Sequence, residues 1–326
     1  MLFRSVINGP LSIDKGNATK AMDGEKMQAL FCSGYLSKGY TVFLSTIYIF
    51  LSIATVLGNV VILAALRKES SLNSPSKLLY SCLAVSDLLV GLIVGPASAV
   101  YFMTWSIDID KLVDLCMYSG AISILSFTVL TLVSLVTLTA ISVDRLLALS
   151  LGLRYRQVVT TKRIQVLVVC AWIPSISCAL MMPLWNYMAT KIGGYSLQSV
   201  CLLMSAFCYA KIFLTLQDHK TKVQVRAHQG EPNGRGIPLN IKRYRKTLSA
   251  AMWVLITLVA CYLPYITVTA LFSVYGLSPL LRTLWGLSGI LVFLNSSLNP
   301  LLYCWKMKQV RQAVKITIRK ALCLSD

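Results

Sequence analysis

The chain has 326 residues, of which 56% are hydrophobic and 13% charged, with a mean hydropathy of +0.69 and a net charge of +19. This composition is more apolar than that of a soluble globular domain, which predicts a protein whose apolar surface faces lipid. The excess of Lys and Arg does not indicate nucleic-acid binding, because these residues are divided among several segments between apolar runs.

The first 39 residues form a polar segment before the first apolar run. The segment lacks the apolar core of a cleavable signal peptide, so the first apolar run is expected to act as the export signal. Asn17 begins an Asn-Ala-Thr triplet, a candidate glycosylation site on an extracellular segment. Cys32 of this segment and Cys116, at the outer end of the third run, could form a disulfide in an oxidising exterior. The alternative is a Cys116 that simply packs as a small hydrophobic residue.

Seven apolar runs follow, each long enough to cross a bilayer. They are expected at 41–66, 78–103, 116–149, 164–185, 192–216, 247–275 and 283–305. The pattern predicts an all-α membrane protein with a seven-transmembrane helix bundle over residues 40–305. Lys and Arg concentrate after the first, third and fifth runs and in the tail, which predicts an extracellular amino terminus and a cytoplasmic carboxyl terminus. These basic segments are expected to meet anionic membrane lipid.

Within the cytoplasmic carboxyl-terminal segment, residues 306–326, the stretch 306–322 has the spacing of an amphipathic helix. Val310, Val314 and Ile318 fall on one helical face, and basic residues fall on the other. We therefore expect a short interfacial helix on the inner leaflet, followed by a short tail. Cys323 in that tail is a candidate for palmitoylation, with an unmodified thiol as the alternative.

Asp87 is an isolated carboxylate well inside the second apolar run. An ionisable group at such a depth faces the interior of the bundle and marks a functional site. The other polar side chains expected to converge on it are Asn59, Ser134, Asn295 and Asn299. A carboxylate with hydroxyl and amide oxygens suits a hydrated monovalent cation. The alternative is a structural hydrogen-bonded cluster around a protonated Asp87.

Two further features suggest a protein with two states. Asp144 and Arg145 end the third run, where adjacent opposite charges can neutralise each other and the planar guanidinium can change partners. Pro264 and Pro300 lie inside the sixth and seventh runs. Each proline removes a backbone hydrogen bond and kinks its helix, which supplies a hinge.

The order of these motifs resembles the rhodopsin-like (class A) family of G-protein-coupled receptors over roughly residues 40–322. The matching elements are Gly58-Asn59, 83–87, Asp144-Arg145-Leu146, Trp172, Tyr209, 261–264 and 299–303. Any one motif is a weak signal, whereas their joint order and their placement in the runs are specific. The resemblance implies a receptor that transduces binding of an extracellular ligand into activation of a heterotrimeric G protein at the plasma membrane.

The resemblance also implies roles for individual residues. Those expected to form a pocket for an allosteric sodium ion, the only cofactor expected, are Asp87, Ser134, Asn295 and Asn299. Those expected to act in the activation switch and G-protein coupling are Asp144, Arg145, Tyr209, Pro264, Pro300 and Tyr303. The candidate ligand-lining residues are Phe127, Tyr262, Tyr265 and Trp285, with a role in the bundle core as the alternative. The ligand class is left open among small apolar molecules, lipids and peptides.

Several positions depart from the usual pattern of the family. Tyr262 stands where a Trp is usual, and Cys201 where a proline is usual. The loop between the fourth and fifth runs lacks a cysteine, so the family's usual disulfide to the third helix cannot form. These departures make the chain similar to the melanocortin, cannabinoid, lysophospholipid and adenosine receptor branch. Phe293 and Phe127 replace the retinal-binding lysine of opsins and the acid of amine receptors, which disfavours both ligand types.

Two other classes of membrane protein compete with a receptor. A transporter or ion-translocating protein needs an ionisable path or repeated halves, whereas Asp87 is the sole mid-membrane acid and no repeat is visible. A membrane enzyme needs a nucleophile with its base, or a metal cluster. The two histidines, His219 and His228, both fall in the predicted loop after the fifth run. Catalysis is therefore not expected.

Overall fold

The computed structural model describes Cys32 and residues 36–68, 74–105, 112–184, 187–228, 241–275 and 278–306, with tail positions 311–312, 314–316 and 319. The described residues form helices and no strand. The described tail positions are helical, and most of the predicted amphipathic helix lies outside the described residues. Asn17 and Cys323 also lie outside them.

Seven helices of the described chain are long and apolar enough to cross a membrane, which confirms the predicted bundle. They are α1 (Lys38–Lys68), α2 (Ser74–Thr104), α3 (Val113–Leu151), α4 (Thr161–Leu184), α5 (Tyr187–His228), α6 (Ile241–Tyr275) and α7 (Pro279–Lys306). Most begin or end several residues beyond the predicted apolar runs, because backbone hydrogen bonding continues after the last apolar side chain. The extension is largest for α5, whose apolar span ends at Asp218.

The helices form a closed ring in which α3 is the central member. Helix α3 has 39 residues and packs against α2, α4 and α5. Helix α7 packs against both α6 and α1, which closes the ring. The spans of α2 and α3 are the most buried and that of α4 the least, so the polar side chains carried by α2 and α3 are the ones placed in the interior.

Helix α2 contains a π-helical turn at Val90–Val94 that the apolar pattern does not reveal. Pro96, which follows it, lacks the N–H that would continue a regular α-helical ladder. Ser52 of α1 donates a hydrogen bond to the carbonyl of Gly91. A Cβ on Gly95 would lie 2.6 Å from the Cβ of Ser52. The small residues in this turn therefore allow α1 to approach α2 closely.

The buried apolar side chains fall into two large clusters. The inner cluster contains Leu83 and Leu135, and the outer cluster contains Tyr48 and Phe293. Phe127 of α3 and Trp285 of α7 pack against both clusters.

Candidate functional site

Asp87 lies where α2, α3 and α7 meet, and its side chain is fully buried. Ser134 of α3 donates from Oγ to Oδ1 of Asp87 at 3.3 Å. Asn299 of α7 donates from Nδ2 to Oδ2 at 2.7 Å. The structure thus brings two of the sequence-predicted partners directly to the carboxylate, each from a different helix.

Two serines of this cluster were missed by sequence reasoning. Ser86 Oγ lies 3.0 Å from Ser134 Oγ, and Ser296 is a buried neighbour of Asp87. Each serine neighbours a predicted site residue in sequence, which was the available signal. That signal is weak because a helical serine usually bonds the carbonyl of its own preceding turn, as Ser86 also does with Leu83.

The two remaining predicted partners behave differently from expectation. Asn295 is buried, but its amide nitrogen has no hydrogen-bond partner among the described residues. The amide of Asn59 donates to the backbone carbonyls of Thr55 at 2.9 Å and Ser296 at 3.3 Å, so it connects α1 to α7. The Oδ1 atom of Asn59 is buried and has no partner in the described chain. Ser134 and Asn299 therefore contact Asp87 as expected, whereas Asn59 donates its hydrogen bonds to backbone carbonyls instead.

The chemistry of this cluster suits a cation. In the described part of the chain, Asp87 bonds only to neutral groups and forms no ion pair. A buried carboxylate without a compensating charge is strongly disfavoured, so it must bind a cation or a proton. The neighbouring hydroxyl and amide oxygens are hard ligands of the kind that bind alkali and alkaline-earth ions.

A second polar cluster surrounds Asp144 and Arg145 at the carboxyl-terminal end of α3. Asp144 is 3% exposed, and its Oδ2 lies 2.8 Å from Nη2 of Arg145. Tyr155 donates from its hydroxyl to Oδ1 at 2.5 Å, and Ser76 donates to Oδ2 at 3.2 Å. Arg145 also donates to Ser76 Oγ at 2.9 Å. The pair is therefore held by α2 and by the short helical turn Tyr155–Val158.

Tyr155 and Ser76 were not predicted from the sequence. Burial of Tyr155, reinforced by its hydrogen bond to the Asp144 carboxylate, raises the pKa of the phenol, which keeps it a hydrogen-bond donor at neutral pH. The guanidinium carbon of Arg145 also lies 5.8 Å from the ring centroid of Tyr80. A tyrosine shortly after the Asp144-Arg145 motif was the only available signal for Tyr155.

The other predicted switch residues lie near this end of the bundle or within the long helices. Tyr209 of α5 is buried against Leu146, Leu149, Val254 and Leu255, which joins α5 to α3 and α6. Pro264 and Pro300 lie inside α6 and α7, as predicted. Tyr303 lies in the helical backbone of α7, and its side chain is outside the described residues.

The four predicted ligand-lining aromatic residues lie in different surroundings. Phe127 and Tyr265 are in contact, with ring centroids 5.3 Å apart, and Tyr195 of α5 lies 6.4 Å from Tyr265. Trp285 is half-buried and packs against both the inner and the outer cluster. Tyr262 is 1% exposed within the inner cluster, so the core interpretation describes it best. Tyr195 was missed because its position on α5 gives no separate sequence signal.

The structure joins Cys32 and Cys116 by a disulfide, with Cα atoms 6.1 Å apart. This bond attaches the amino-terminal segment to the beginning of α3. The free cysteines among the described residues are Cys82, Cys170, Cys178, Cys201, Cys208, Cys261 and Cys304.

Comparison with known proteins identifies the family. The model of the family described as "7 transmembrane receptor (rhodopsin family)" matches residues 58–204 and 177–303. The chain is 27% identical to the histamine H2 receptor of Cavia porcellus, over 84% of this chain and 79% of that receptor. It is 24% identical to the adenosine receptor A3 of Ovis aries, over 84% and 89% respectively. It is 23% identical to the melanocortin receptor 5 of Rattus norvegicus, over 82% of each.

The family match covers most of the chain and includes both polar clusters. With the seven apolar helices, it confirms a multi-pass plasma-membrane receptor that binds an extracellular ligand and signals through a heterotrimeric G protein. It does not favour the transporter alternative, and these proteins are receptors rather than enzymes. The chain belongs to the rhodopsin family of seven-transmembrane receptors.

Proposed function

We propose that this receptor changes state by breaking the ion pair between Asp144 and Arg145, so that Arg145 can meet a G protein. The observation that carries the proposal is the network in which Ser76, Tyr155 and Arg145 all contact one carboxylate. A network that spans α2, α3 and the following helical turn holds that end of the bundle closed. Agonist binding would shift the equilibrium in favour of the open state to the extent that the agonist prefers it.

Pro264 interrupts the backbone hydrogen bonding of α6, and this interruption would allow α6 to move. Pro264 removes one backbone hydrogen bond, so the inner half of α6 can swing about this point. Tyr209 packs where α3, α5 and α6 meet, and it would repack as α6 moves. Pro300 would allow a smaller adjustment in α7, and Tyr303 would join the rearranged interface.

A sodium ion at Asp87 would favour the closed state. Its carboxylate and the hydroxyl of Ser134 would be ligands, and the bundle closes around them through Asn299. The buried Oδ1 of Asn59, which has no described partner, is a further acceptor near the backbone of Ser296. The ion would leave as the helices rearrange. The alternative is a protonated Asp87 with a purely structural role.

The proposed orientation has the amino terminus outside the cell and the carboxyl terminus in the cytoplasm. It is supported by the concentration of Lys and Arg after α1, α3 and α5 and in the tail. The bond between Cys32 and Cys116 is also compatible with an oxidising exterior. In this orientation Asn17 would be available for glycosylation and Cys323 for palmitoylation.

The ligand would bind between the outer halves of α3, α5, α6 and α7. The named relatives are receptors for histamine, adenosine and melanocortin. In this chain, Phe127 occupies the position of the acid that amine receptors carry, and it packs against Tyr265. A cationic amine would find no counter-ion there. We therefore favour a small apolar molecule, a lipid or a peptide over an amine.

The decisive experiment compares basal nucleotide exchange on a panel of Gα subunits for the intact chain and Arg145→Ala in the same membranes. We expect measurable basal exchange, because residues 241–250 at the start of α6 contain no acid that could hold Arg145 across the cleft. The variant should lose at least about tenfold of the signal, because it removes the proposed contact with the G protein, and truncating one member of a charge pair across an interface costs about 2 kcal/mol or more.

Arg67→Ala is the matched control, because Arg67 is an exposed arginine at the end of α1. It removes the same charge from the same proposed side of the membrane. Exchange that is equal in Arg145→Ala and the intact chain would refute the proposed switch, and ion flux without any exchange would revive the transporter alternative.

A further inference from the structure

Gln198 carries an uncharged amide that is buried within the membrane-spanning part of α5. The side chain is only 4% exposed, although glutamine is mostly found at protein surfaces. Its Oε1 atom is buried and has no hydrogen-bond partner among the described residues. A buried polar group without a partner lowers stability, and polar groups at this depth in a membrane protein commonly belong to functional sites. The Oε1 acceptor is therefore open to a donor that the described chain does not supply.

The amide of Gln198 faces the interior of the bundle rather than lipid. Residues three or four positions apart share one face of a helix. On this face, Leu202 is buried in the inner cluster and Tyr195 packs against the same cluster. Leu197 and Val200 lie on other faces and are 42% and 55% exposed. Because α5 packs mainly against α3 and α6, the amide lies on the side of α5 that meets these two helices.

The polar groups one turn further along α5 already have partners. Thr139 of α3 donates from Oγ1 to the carbonyl of Cys201 at 3.2 Å, and its Oγ1 lies 3.0 Å from Oγ of Ser205. These bonds join α3 to α5 on the carboxyl-terminal side of Gln198. A partner for Gln198 would therefore approach from the amino-terminal side, where Tyr195 lies.

Aromatic rings line that side of the amide. The ring centroid of Tyr195 lies 6.4 Å from that of Tyr265, which in turn lies 5.3 Å from that of Phe127. The three rings come from α5, α6 and α3, and Tyr195 is one helical turn from Gln198. Small-molecule sites are mostly apolar and aromatic, with a few polar groups that fix the orientation of the ligand. Three aromatic rings with an open amide at their inner end fit this description.

The chemistry of the amide selects a neutral partner. A carboxamide carries an acceptor and donors but no charge, and a hydroxyl group can both donate and accept. A hydroxyl therefore satisfies the Gln198 amide in either orientation of its oxygen and nitrogen. A charged group would lose its hydration here and would gain no counter-ion from an amide. The neighbouring pair of Phe127 and Tyr265 carries no charge either.

We propose that Gln198 is a specificity-determining residue of the ligand site, where its amide binds the hydroxyl group of a neutral and otherwise apolar ligand. The ring or chain of this ligand packs against Tyr195, Tyr265 and Phe127. The inference rests on the proposed function, since it takes the ligand site to lie between α3, α5 and α6. It narrows the three ligand classes to an uncharged apolar molecule with a hydroxyl group.

The test uses the full chain in nanodiscs of neutral phosphatidylcholine, with probes that share one two-ring skeleton. The probes are para-cyclohexylphenol, its methyl ether para-cyclohexylanisole, the parent cyclohexylbenzene, and the charged para-cyclohexylbenzylamine and para-cyclohexylbenzoate. Binding is measured as the concentration-dependent shift of the thermal unfolding midpoint. We expect the phenol to bind at least about fivefold tighter than the ether and the hydrocarbon, because both of these leave a buried acceptor unpaired. The two charged probes should bind more weakly than the phenol.

Gln198→Met tests the role of the amide in this preference. Methionine has a similar length and removes the hydrogen-bonding groups, so the variant should bind the phenol and its ether equally. Binding of the parent hydrocarbon should be retained, because the aromatic rings are unchanged. Gln217→Met is the matched control, since Gln217 is an exposed glutamine of the same helix. It should keep the full preference for the phenol.

The same variant tests the open amide without any ligand. Removing a buried group that has no partner should stabilise the free receptor, so the unfolding midpoint of Gln198→Met should rise by about 2–4 °C. Gln217→Met should leave the midpoint unchanged. A lower midpoint in Gln198→Met would show that the amide already has a partner in the free receptor, either within the chain or as a fixed water. That result would overturn the assignment.

Three binding results would also overturn it. The intact chain could bind the phenol no better than the ether, which includes the case in which neither stabilises the receptor. The preference for the phenol could persist in Gln198→Met. The benzylamine or the benzoate could bind more tightly than the phenol, which would show that the site selects a charge.

Binding is measured without a G protein, so this assignment and the signalling proposal fail separately. A phenol preference that persists in Arg145→Ala while phenol-stimulated exchange is lost supports both. A phenol preference with no exchange on any Gα subunit supports the role of Gln198 and counts against the signalling proposal. Basal exchange that depends on Arg145, with no phenol preference, supports the signalling proposal and overturns the role of Gln198.

Discussion

Two carboxylates are buried in the described part of the receptor, and their surroundings differ in one decisive way. Asp87 is fully buried and bonds to the neutral donors Ser134 and Asn299. Asp144 is nearly as buried but has Arg145 at 2.8 Å in addition to two hydroxyl donors. Burial alone therefore does not determine what a carboxylate can do. The charge of its partners determines whether it depends on an external ion or on the position of another helix.

Because of this difference, the two sites respond to different binding partners. Breaking the Asp144–Arg145 pair leaves the buried Asp144 carboxylate without its cation, so this site resists opening until a competing partner for Arg145 arrives. Asp87 has no such internal counter-ion among the described residues, so its charge state follows the ions or protons available to it. Under the proposed mechanism one site responds to the G protein and the other to sodium.

The largest effect expected from the comparison of the two carboxylates is the loss of sodium dependence in Asp87→Asn. Asparagine keeps the shape and removes the charge, so a cation would lose its anionic ligand. In the intact chain, we expect basal exchange to be lower in sodium chloride than in N-methylglucamine chloride of equal ionic strength. The difference should be at least about fivefold, the lower end of ordinary coupling free energies. In Asp87→Asn the two salts should give equal exchange.

Asp114→Asn is the matched control, because Asp114 is an exposed acid in the first turn of α3. It should retain the full response to sodium. If the intact chain shows no sodium effect at all, the cation interpretation of Asp87 is wrong and the protonated structural cluster replaces it.

A smaller effect is expected when Tyr155 is replaced by Phe. The change removes the hydroxyl that donates to Asp144 at 2.5 Å and leaves the ion pair intact. Hydrogen bonds to charged groups contribute about 1.5–3 kcal/mol, and only the part lost on opening affects the equilibrium. Basal exchange should therefore rise about twofold to fivefold. Tyr275→Phe, at a tyrosine that is 75% exposed, should leave exchange unchanged. Lower exchange in Tyr155→Phe would show that Tyr155 favours the open state.

The smallest effect is the coupling between Ser76 and Tyr155. Ser76 Oγ donates to Asp144, accepts from Arg145 and lies 3.4 Å from the Tyr155 hydroxyl. Ser76→Ala, Tyr155→Phe and the double variant form a cycle whose unfolding free energies can be measured by thermal denaturation. We expect a coupling of about 0.5–1 kcal/mol, typical of groups in one hydrogen-bond network. Additive effects would mean that the two residues hold Asp144 independently.

The seven spans and the two acids could be predicted from the sequence, because bilayer thickness and the cost of a buried charge act on each segment separately. Asp87 can be identified from the second apolar run alone, and Arg145 from the Asp144-Arg145 motif alone. Tyr155, Ser76 and Ser86 could not be predicted with the same arguments. Their roles depend on which helices are in contact. The chain contains 15 tyrosines, so the residue type alone does not identify Tyr155. The π-turn was missed because it leaves the hydropathy of α2 unchanged.

That turn determines which way the outer end of α2 faces. An α-helix advances about 100° per residue, so one additional residue in a turn rotates everything beyond it by roughly that angle. Residues from Gly95 to Trp105 therefore point in directions that an uninterrupted α2 would not give them. The contact between the hydroxyls of Ser98 and Ser123 of α3, 2.7 Å apart, depends on this offset. So does the position of the Trp105 ring, whose centroid lies 5.9 Å from the guanidinium carbon of Arg282 in α7. A deletion of one residue here would leave composition and span length almost unchanged but would redirect every side chain between this turn and the end of α2.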